Sequence, residues 1–234
     1  MKSVAMLQPN YIPWKGVFDL INRVDVFVFY DDVQYTKRDW RSRNRIPSAN
    51  GDIWLSVPVI TRGRQTQLIQ DVIIDQNPGW QRKHHKTLSL NYAKAPFIDD
   101  YRQLLHDFYL AKRWENLSEM NIFMTKYICH VLDIKTEFVN ARELAMSGGK
   151  DGEKVIKICA ALGCDVFING PSSKAFMDEN KFIEAGIKLE YMEYSYPEYP
   201  QLFPPFNHNV SILDLLFMTG SDAPEYIFGS GNDV

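Results

Sequence analysis

Apolar residues form short runs at both ends of the chain, and stretches with helical periodicity separate them. The first run, 4–7, ends before Pro9, and a second run over 25–30 is rich in Val and Phe. Short apolar runs of this kind are typical of buried strands in a parallel sheet. From Lys15 to Val24, apolar residues recur every three or four positions, which predicts an amphipathic helix. A strand, a loop, a helix and a strand in this order predict a βαβ unit.

The same alternation returns later in the chain, whereas residues 31–52 are polar and predict irregular structure. Three helical patterns fill residues 78–133, which we interpret as a helical insertion or subdomain. The pattern as a whole predicts a single α/β domain over 1–234, with a Rossmann-like, mostly parallel sheet flanked by helices. Further predicted strands are 54–60, 72–74, 137–139, 165–168 and 187–192, and further predicted helices are 151–162, 181–185 and 211–218.

The composition narrows the class of protein. With 45% hydrophobic and 24% charged residues, the 234-residue chain is expected to fold, and its net charge of −3 disfavours a dedicated nucleic-acid binder. Cys129, Cys159 and Cys164 are an odd number without a CxxC pair, which predicts free buried thiols and a reducing compartment. The first apolar stretch is too short for a signal peptide, and no run approaches a membrane helix. We therefore expect a cytoplasmic protein.

The loop after the first predicted strand is the first candidate for a ligand site. Ligands of open α/β sheets bind beyond the carboxyl ends of the strands, where loops lead into helix N-termini. This loop offers amides, a hydroxyl, a stacking face, a cation and a glycine that would let the helix backbone approach a ligand. The alternative is that its aromatic residues merely cover the sheet edge. The candidate substrate-binding residues are Gln8, Asn10, Tyr11, Trp14, Lys15 and Gly16.

Ionisable side chains supply the candidate catalytic residues. Asp31 and Asp32 end the second predicted strand, and adjacent residues of an extended chain face opposite sides, so one of them is expected to reach the site. Such a carboxylate serves as a general base or a Mg²⁺ ligand, the alternative being a solvated turn. His84 and His85 project about 100° apart on a predicted helix, which argues against a zinc site. His84 is a candidate general acid or base.

Five cations and two aromatic residues share the segment 35–45. This mixture suits an anionic ligand such as a nucleotide-sugar diphosphate. It also suits RNA with aromatic stacking, and a plain charged surface is the third alternative. The candidate substrate-binding residues of this segment are Tyr35, Lys37, Arg43, Asn44 and Arg45.

A second candidate anion-binding loop, 169–174, follows a predicted strand and precedes a helix expected to begin near Ala175. Its backbone N–H groups and the hydroxyls of Ser172 and Ser173 suit an anion, although the spacing is not that of a Walker A loop. An aromatic and proline-rich segment, 194–205, either walls a pocket or covers the core.

Motifs along nearly the whole chain resemble the WbqC-like family. They include LQPNYIPWKGVF at 7–18, FYDDVQY at 29–35, WLSVP at 54–58 and SILDLLF at 211–217. Members of that family are typically encoded in bacterial O-antigen and surface-polysaccharide clusters. The resemblance therefore implies a role in building or acylating an unusual amino sugar.

A weaker resemblance concerns nucleotidylyltransferases of the HxGH type, some of which form amides through acyl-adenylates. It implies a shared fold and crevice, with ATP and Mg²⁺ as the cofactors that such chemistry would use. Where that type requires two histidines, this chain has Pro13-Trp14-Lys15-Gly16-Val17, so the resemblance carries over the fold and the crevice and leaves the adenylylation chemistry open.

Together these features predict an amide-forming transferase or ligase that acts on a nucleotide-linked amino sugar. One alternative is a non-catalytic protein that binds a nucleotide sugar or a partner enzyme. A second alternative is an RNA-binding or aminoacyl-tRNA-dependent protein that uses the 35–45 segment, against which the acidic net charge counts.

Overall fold

The computed structural model describes residues 1–77, 79–146 and 151–229. The strands are β1 (Ser3–Leu7), β2 (Val26–Phe29), β3 (Arg43–Ile46), β4 (Ile53–Ser56), β5 (Glu137–Asn140), β6 (Val166–Asn169) and β7 (Lys188–Tyr191). The α-helices are α1 (Lys15–Asn22), α2 (Trp80–Asn91), α3 (Arg102–His106), α4 (Leu117–Val131), α5 (Asp151–Ala161), α6 (Glu179–Glu184), α7 (Ile212–Thr219) and α8 (Glu225–Phe228).

Five of the strands form a parallel sheet in the order β5-β2-β1-β6-β7. Alternate side chains of β2 divide the core into two layers. Phe27 and Phe29 pack in the same cluster as α1, α4 and α7, whereas Val26 and Val28 pack with α5 and α6 on the other face. The predicted Rossmann-like α/β fold is confirmed. The chain reverses its direction across the sheet between β1 and β6, which makes this position the topological switch point.

Helices α2, α3 and α4 lie between β4 and β5, within the predicted insertion, whose first residue, Pro78, lies outside the described part of the chain. Their buried side chains belong to the same core cluster as Phe27 and Phe29 of the sheet. Nowhere in the described residues is there a helix that is both long and apolar enough to cross a bilayer.

One predicted strand is wrong in kind, and one predicted helix is divided into shorter helical turns. Residues 72–74 follow a 3₁₀ turn and make only isolated bridges to two different segments, so they lack the continuous neighbour that a strand needs. The second of the three helical patterns predicted within 78–133 is divided into a 3₁₀ turn over Ile98–Tyr101, α3 and a π-helical turn over Asp107–Ala111. Side chains from outside this turn donate to its carbonyl groups: Gln81 to those of Phe108 and Tyr109, and Trp114 to that of Phe108. Gln81 also donates to the carbonyl of Lys112, directly after the turn.

Two further differences concern polar segments. The strand β3 lies within residues predicted to be irregular. The sequence pattern does not reveal this strand because its buried face carries the polar Asn44 beside Ile46, which hides the apolar alternation. After β6 the chain forms a 3₁₀ turn over Pro171–Ala175, and α6 begins at Glu179 rather than near Ala175. The side chain of Asp178 caps this helix by accepting the backbone N–H of Asn180.

Candidate functional site

A cavity of about 420 Å³ opens at the switch point, between the loop after β1 and the loop after β6. Its volume falls in the range of small-molecule sites, and open α/β sheets bind their ligands at this position. Aromatic and amide side chains dominate its walls, and we call it the switch-point cavity. The polar and aromatic lining residues are Asn10, Trp14, Trp40, Asn44, Asn169, Ser172, Tyr194 and Asn209.

Asn44 fixes the shape of the loop after β1. Its Nδ2 donates to the backbone carbonyls of Tyr11, at 3.2 Å, and of Ile12, at 2.8 Å. Ile12 has a φ of 36°, which is unfavourable for a β-branched residue. Such backbone strain persists only where surrounding contacts enforce it, and it concentrates at ligand-binding loops. The buried face of β3 therefore holds the loop in a strained conformation beside the cavity.

Two other amides of the lining retain hydrogen-bonding capacity. The Asn169 Oδ1 atom accepts the backbone N–H of Gly170 at 2.8 Å, which orients the side chain at the carboxyl end of β6. Within the described part of the chain, neither the Asn169 Nδ2 atom nor the Asn10 amide has a hydrogen-bond partner. Because an amide is both a donor and an acceptor, these groups suit a ligand that carries hydroxyls or carbonyls.

Aromatic rings close one side of the cavity. The Trp14 indole meets Tyr194 edge to face, with ring centroids 5.0 Å apart. A Cβ atom at position 16 would lie 2.3 Å from the Trp14 ring, so Gly16 makes room for this indole at the start of α1. Gly170 similarly allows the Tyr194 hydroxyl to approach, since a Cβ there would lie 3.2 Å from it.

The two aspartates after β2 diverge onto opposite faces of the sheet. Asp31 is fully buried, accepts the Ser118 Oγ–H of α4 at 2.6 Å and lies 3.6 Å from the guanidinium of Arg142. Burial raises the pKa of Asp31, although the Ser118 hydrogen bond and Arg142 act in the opposite direction. Asp32 instead pairs with Lys154 of α5 at 2.7 Å.

Neither aspartate lines the switch-point cavity, and because they diverge they do not form a shared Mg²⁺ site. Among the residues that the structure describes, no group of three or more Asp, Glu, His or Cys side chains is arranged to hold a metal ion. We therefore derive no step through a metal.

Tyr11 and His84 belong to a buried hydrogen-bonded chain. The Tyr11 hydroxyl lies 2.8 Å from the His84 Nδ1 atom and 2.6 Å from the Tyr109 hydroxyl. Burial lowers the pKa of His84 to about 4, so its imidazole is neutral at pH 7. Asn121 of α4 adds a second anchor, because its Nδ2 donates to the backbone carbonyls of Pro9 and Arg41. These contacts fasten the loop after β1 to the helical segment.

Lys15 points into the core. Its side chain is 3% exposed, and its Nζ lies over the rings of Tyr196 and Tyr199 at 4.9 and 5.0 Å. Burial lowers the pKa of Lys15 to about 8, against the attraction of Asp214. Asp214 is fully buried and accepts hydrogen bonds from Tyr92, Tyr199 and Gln201, each at 2.7 Å.

Of the residues that the sequence predicts to bind substrate, Asn10, Trp14, Asn44 and Ser172 meet at the cavity. Gln8 is half-buried and Lys37 is exposed. The Tyr35 hydroxyl donates to Ser42, and the Ser173 hydroxyl donates to the Gly170 carbonyl. Predicted residues that do not line the cavity are Gln8, Tyr11, Lys15, Gly16, Tyr35, Lys37, Arg43, Arg45 and Ser173, together with Asp31, Asp32 and His84. All of these roles stay predictions.

The sequence analysis placed the lining residues Trp40, Asn169 and Tyr194 within candidate segments without naming them as site residues, and it missed Asn209. Asn169 had a usable signal, since it is the last residue of β6 and strand carboxyl ends face the ligand. Tyr194 begins the aromatic segment predicted either to wall a pocket or to cover the core, and it lines the cavity. Asn209 lies beyond that segment, and only the folded chain brings it to the cavity.

Comparisons with known proteins agree with the family predicted from the motifs. The model of the WbqC-like protein family matches residues 8–226, a range that includes every residue lining the cavity except Leu7. The chain is 41% identical over 228 residues to the uncharacterized protein Rv1507c of Mycobacterium tuberculosis, and the alignment covers 97% of this chain and 98% of that protein. No solved structure gives a significant match.

Proposed function

Since this chain belongs to the WbqC-like protein family, we propose that it acts in bacterial surface-polysaccharide (O-antigen) synthesis, transferring an acyl or aminoacyl group to a nucleotide-linked amino sugar. The observation that carries the proposal is the switch-point cavity, whose walls combine amides with aromatic rings. Amides match the donors and acceptors of sugar hydroxyls, and aromatic rings offer apolar faces to a sugar ring. The polysaccharide setting that the motifs imply supports the same substrate class.

The proposed reaction forms one C–N bond. The sugar amine attacks the acyl carbonyl carbon, the bond from that carbon to the leaving group breaks, and the departing group takes the amine proton. The Asn169 Nδ2 atom is a donor without a partner among the described residues, and it suits the oxyanion that develops on the carbonyl. The described lining residues include no carboxylate, imidazole, amine or thiol, so the cavity acts by positioning the two reactants.

The catalytic roles of Asp31, Asp32 and His84 remain part of the proposal as predictions, and the variants described in the Discussion test them. The predicted contacts of Lys37, Arg43 and Arg45 with the diphosphate are also part of the proposal and remain predictions.

Isothermal titration with UDP-glucosamine tests the site. We expect wild-type protein to bind and Asn10→Ala to weaken binding by about tenfold, because one ligand hydrogen bond is lost. Asn22→Ala, at the exposed end of α1, is the matched control and should bind like wild type. If Asn10→Ala and Asn22→Ala bind equally well, the ligand does not occupy this cavity.

Mass spectrometry tests the reaction. In one arm the protein is incubated with UDP-glucosamine and an acyl thioester, and in the other with UDP-glucosamine, a carboxylic acid, ATP and Mg²⁺. At least one arm should yield the amide. The absence of product in both arms, together with Asn10-dependent binding, would overturn the transferase proposal.

Binding that depends on Asn10, without amide formation in either arm, would favour a non-catalytic nucleotide-sugar-binding protein. The specific observation behind this candidate is the neutral lining itself: the described lining residues include no carboxylate, imidazole, amine or thiol, and burial raises the pKa of the Tyr194 phenol above its usual value.

A further inference from the structure

Two tryptophans lie exposed at the edge of the switch-point cavity. Trp40 lines the cavity and stacks on Trp54 of β4, with ring centroids 5.7 Å apart and planes inclined by 30°. They are 47% and 44% exposed, although large aromatic side chains are usually well buried. Stacked rings at the edge of a cavity therefore point to a planar ligand.

The β3–β4 hairpin places cations on the same face as Trp54. In its register Arg45 stands opposite Trp54 and Arg43 stands opposite Ser56, and paired residues of antiparallel strands project to one side. The Arg43 guanidinium lies 4.5 Å from the centroid of the Trp54 ring. Asn44, between the two arginines, projects to the opposite, buried side and lines the cavity.

The two arginines differ in their partners. Arg45 forms an ion pair with Asp52 at 3.0 Å and donates to the Asn209 carbonyl at 2.7 Å, so its charge is balanced within the protein. Arg43 has no carboxylate within ion-pairing distance among the described residues. The hairpin thus presents an unbalanced guanidinium beside two stacked indoles.

We propose that Trp40, Trp54 and Arg43 form a nucleotide-binding surface for the nucleoside diphosphate part of the substrate. The base stacks on the exposed Trp40 ring, the diphosphate contacts Arg43, and the sugar enters the cavity that Trp40 also lines. Stacking on aromatic rings accepts any base, and the planar guanidinium is a good partner for phosphate oxygens. This inference rests on the proposed function, since it extends the same ligand beyond the cavity.

The charge of the surface favours a single nucleotide over RNA. The neighbouring cations Arg41 and Arg45 pair with Asp39 and Asp52, and the whole chain carries a net charge of −3. RNA binding needs several unbalanced cations along a path of phosphates. Of the two guanidinium groups that lie over the Trp54 ring, that of Arg43 is unbalanced among the described residues and that of Arg45 is paired, and one unbalanced guanidinium matches one diphosphate.

Fluorescence titration with UDP, uridine and UDP-glucosamine tests this surface. Trp40→Leu should weaken the binding of all three by about tenfold, because the stacking contact is lost. Arg43→Gln should weaken UDP and UDP-glucosamine by about the same factor and leave uridine unchanged. Leu90→Ala and Arg82→Gln change exposed residues of α2 and should bind like wild type.

A second variant at position 40 distinguishes the loss of a stacking contact from a general loss of folded structure. Trp40→Phe keeps an aromatic face and should retain most of the affinity for UDP that Trp40→Leu loses. If Trp40→Leu and Arg43→Gln bind UDP as wild type does, the inference is overturned, and Asn10-dependent binding of UDP-glucosamine would still uphold the proposed function.

The converse result is also distinguishable. Binding of UDP that depends on Trp40 and Arg43, without any effect of Asn10→Ala on UDP-glucosamine, would uphold this surface and overturn the cavity proposal. Oligouridylate that binds far more tightly than UDP, with an affinity that grows with length and falls steeply with salt, would assign the surface to RNA instead.

Discussion

The polar side chains of the switch-point cavity and the ionisable side chains near it differ in how far other residues of the protein already engage them. Asp31, Asp32 and His84 each face a partner inside the protein: Ser118, Lys154 and Tyr11 respectively. Asn10 and Asn169, which are neutral, keep donors that no described residue satisfies. Burying a charge is costly unless a partner compensates it, so charged groups near a core tend to be engaged internally. The Oδ1 atoms of Asp31 and Asp32 also lack hydrogen-bond partners among the described residues, but they are buried away from the cavity, so the neutral amides are the unpartnered groups that a ligand in the cavity can reach.

The largest test of this contrast concerns Asp31. Asp31→Ala removes the acceptor of Ser118 and the carboxylate beside Arg142, and it should lower the free energy of unfolding by roughly 3–5 kcal/mol, as measured by urea denaturation. Asp31→Asn preserves the shape and an acceptor oxygen, so it should cost much less. If Asp31→Asn keeps its stability and still abolishes amide formation, Asp31 acts in the chemistry and the contrast fails.

A smaller effect is expected from the titration of His84. Its pKa is about 4 in the folded protein and about 6.5 in the unfolded chain, so the unfolded state takes up the proton first as the pH falls. The stability that the neutral imidazole contributes is therefore present above about pH 6.5 and is lost as the pH falls towards 4. Between pH 7 and 4.5 the loss should be about 2 kcal/mol.

Urea unfolding at several pH values measures this loss. His84→Gln should flatten the pH dependence over that window, whereas His130→Gln, at the exposed end of α4, should leave it unchanged. Equal slopes for wild type and His84→Gln would show that His84 titrates like an exposed imidazole, which would strengthen its case as a general acid or base.

The smallest effect is expected for the ion pair of Asp32 with Lys154, whose side chains are each 13% exposed at a distance of 2.7 Å. A double-mutant cycle to Ala should give a coupling energy of about 1 kcal/mol. The Arg102–Asp99 pair has the same 2.7 Å separation but is 76% and 71% exposed, and it serves as the control with weaker coupling. Coupling near zero for Asp32 would leave this carboxylate available for another role.

The parallel sheet was predictable from local sequence. All five of its strands coincide with predicted strands, and the three central ones, β1, β2 and β6, are mostly apolar because strands buried on both faces need apolar residues. The strand β3 was not predictable in this way. Asn44 lies on its buried face and donates hydrogen bonds to two carbonyls of the loop after β1. A polar residue therefore stands where the strand pattern requires an apolar one.

The candidate site was predictable only in part, for a physical reason. Asn10, Trp14 and Ser172 follow strand carboxyl ends, and the geometry of an open sheet places them at the cavity. The internal partner of a charged side chain has no such local signal. Ser118, which engages Asp31, is 87 positions away along the chain, so the sequence around Asp31 does not reveal that its carboxylate is already engaged.

The hydrogen bonds that join Tyr11 with His84 and with Tyr109, and the one that Asn121 donates to the Pro9 carbonyl, have a consequence for redesign. Helices α2 to α4 form one continuous insertion between β4 and β5, which makes them an obvious segment to delete in designing a smaller version of the molecule. Joining β4 directly to β5 would delete every one of these anchors while leaving all the strands of the parallel sheet intact. The trimmed protein would lose part of the core that packs with Phe27 and Phe29 as well as three hydrogen bonds to its first loop, so these helices are integral to both the core and the binding loop.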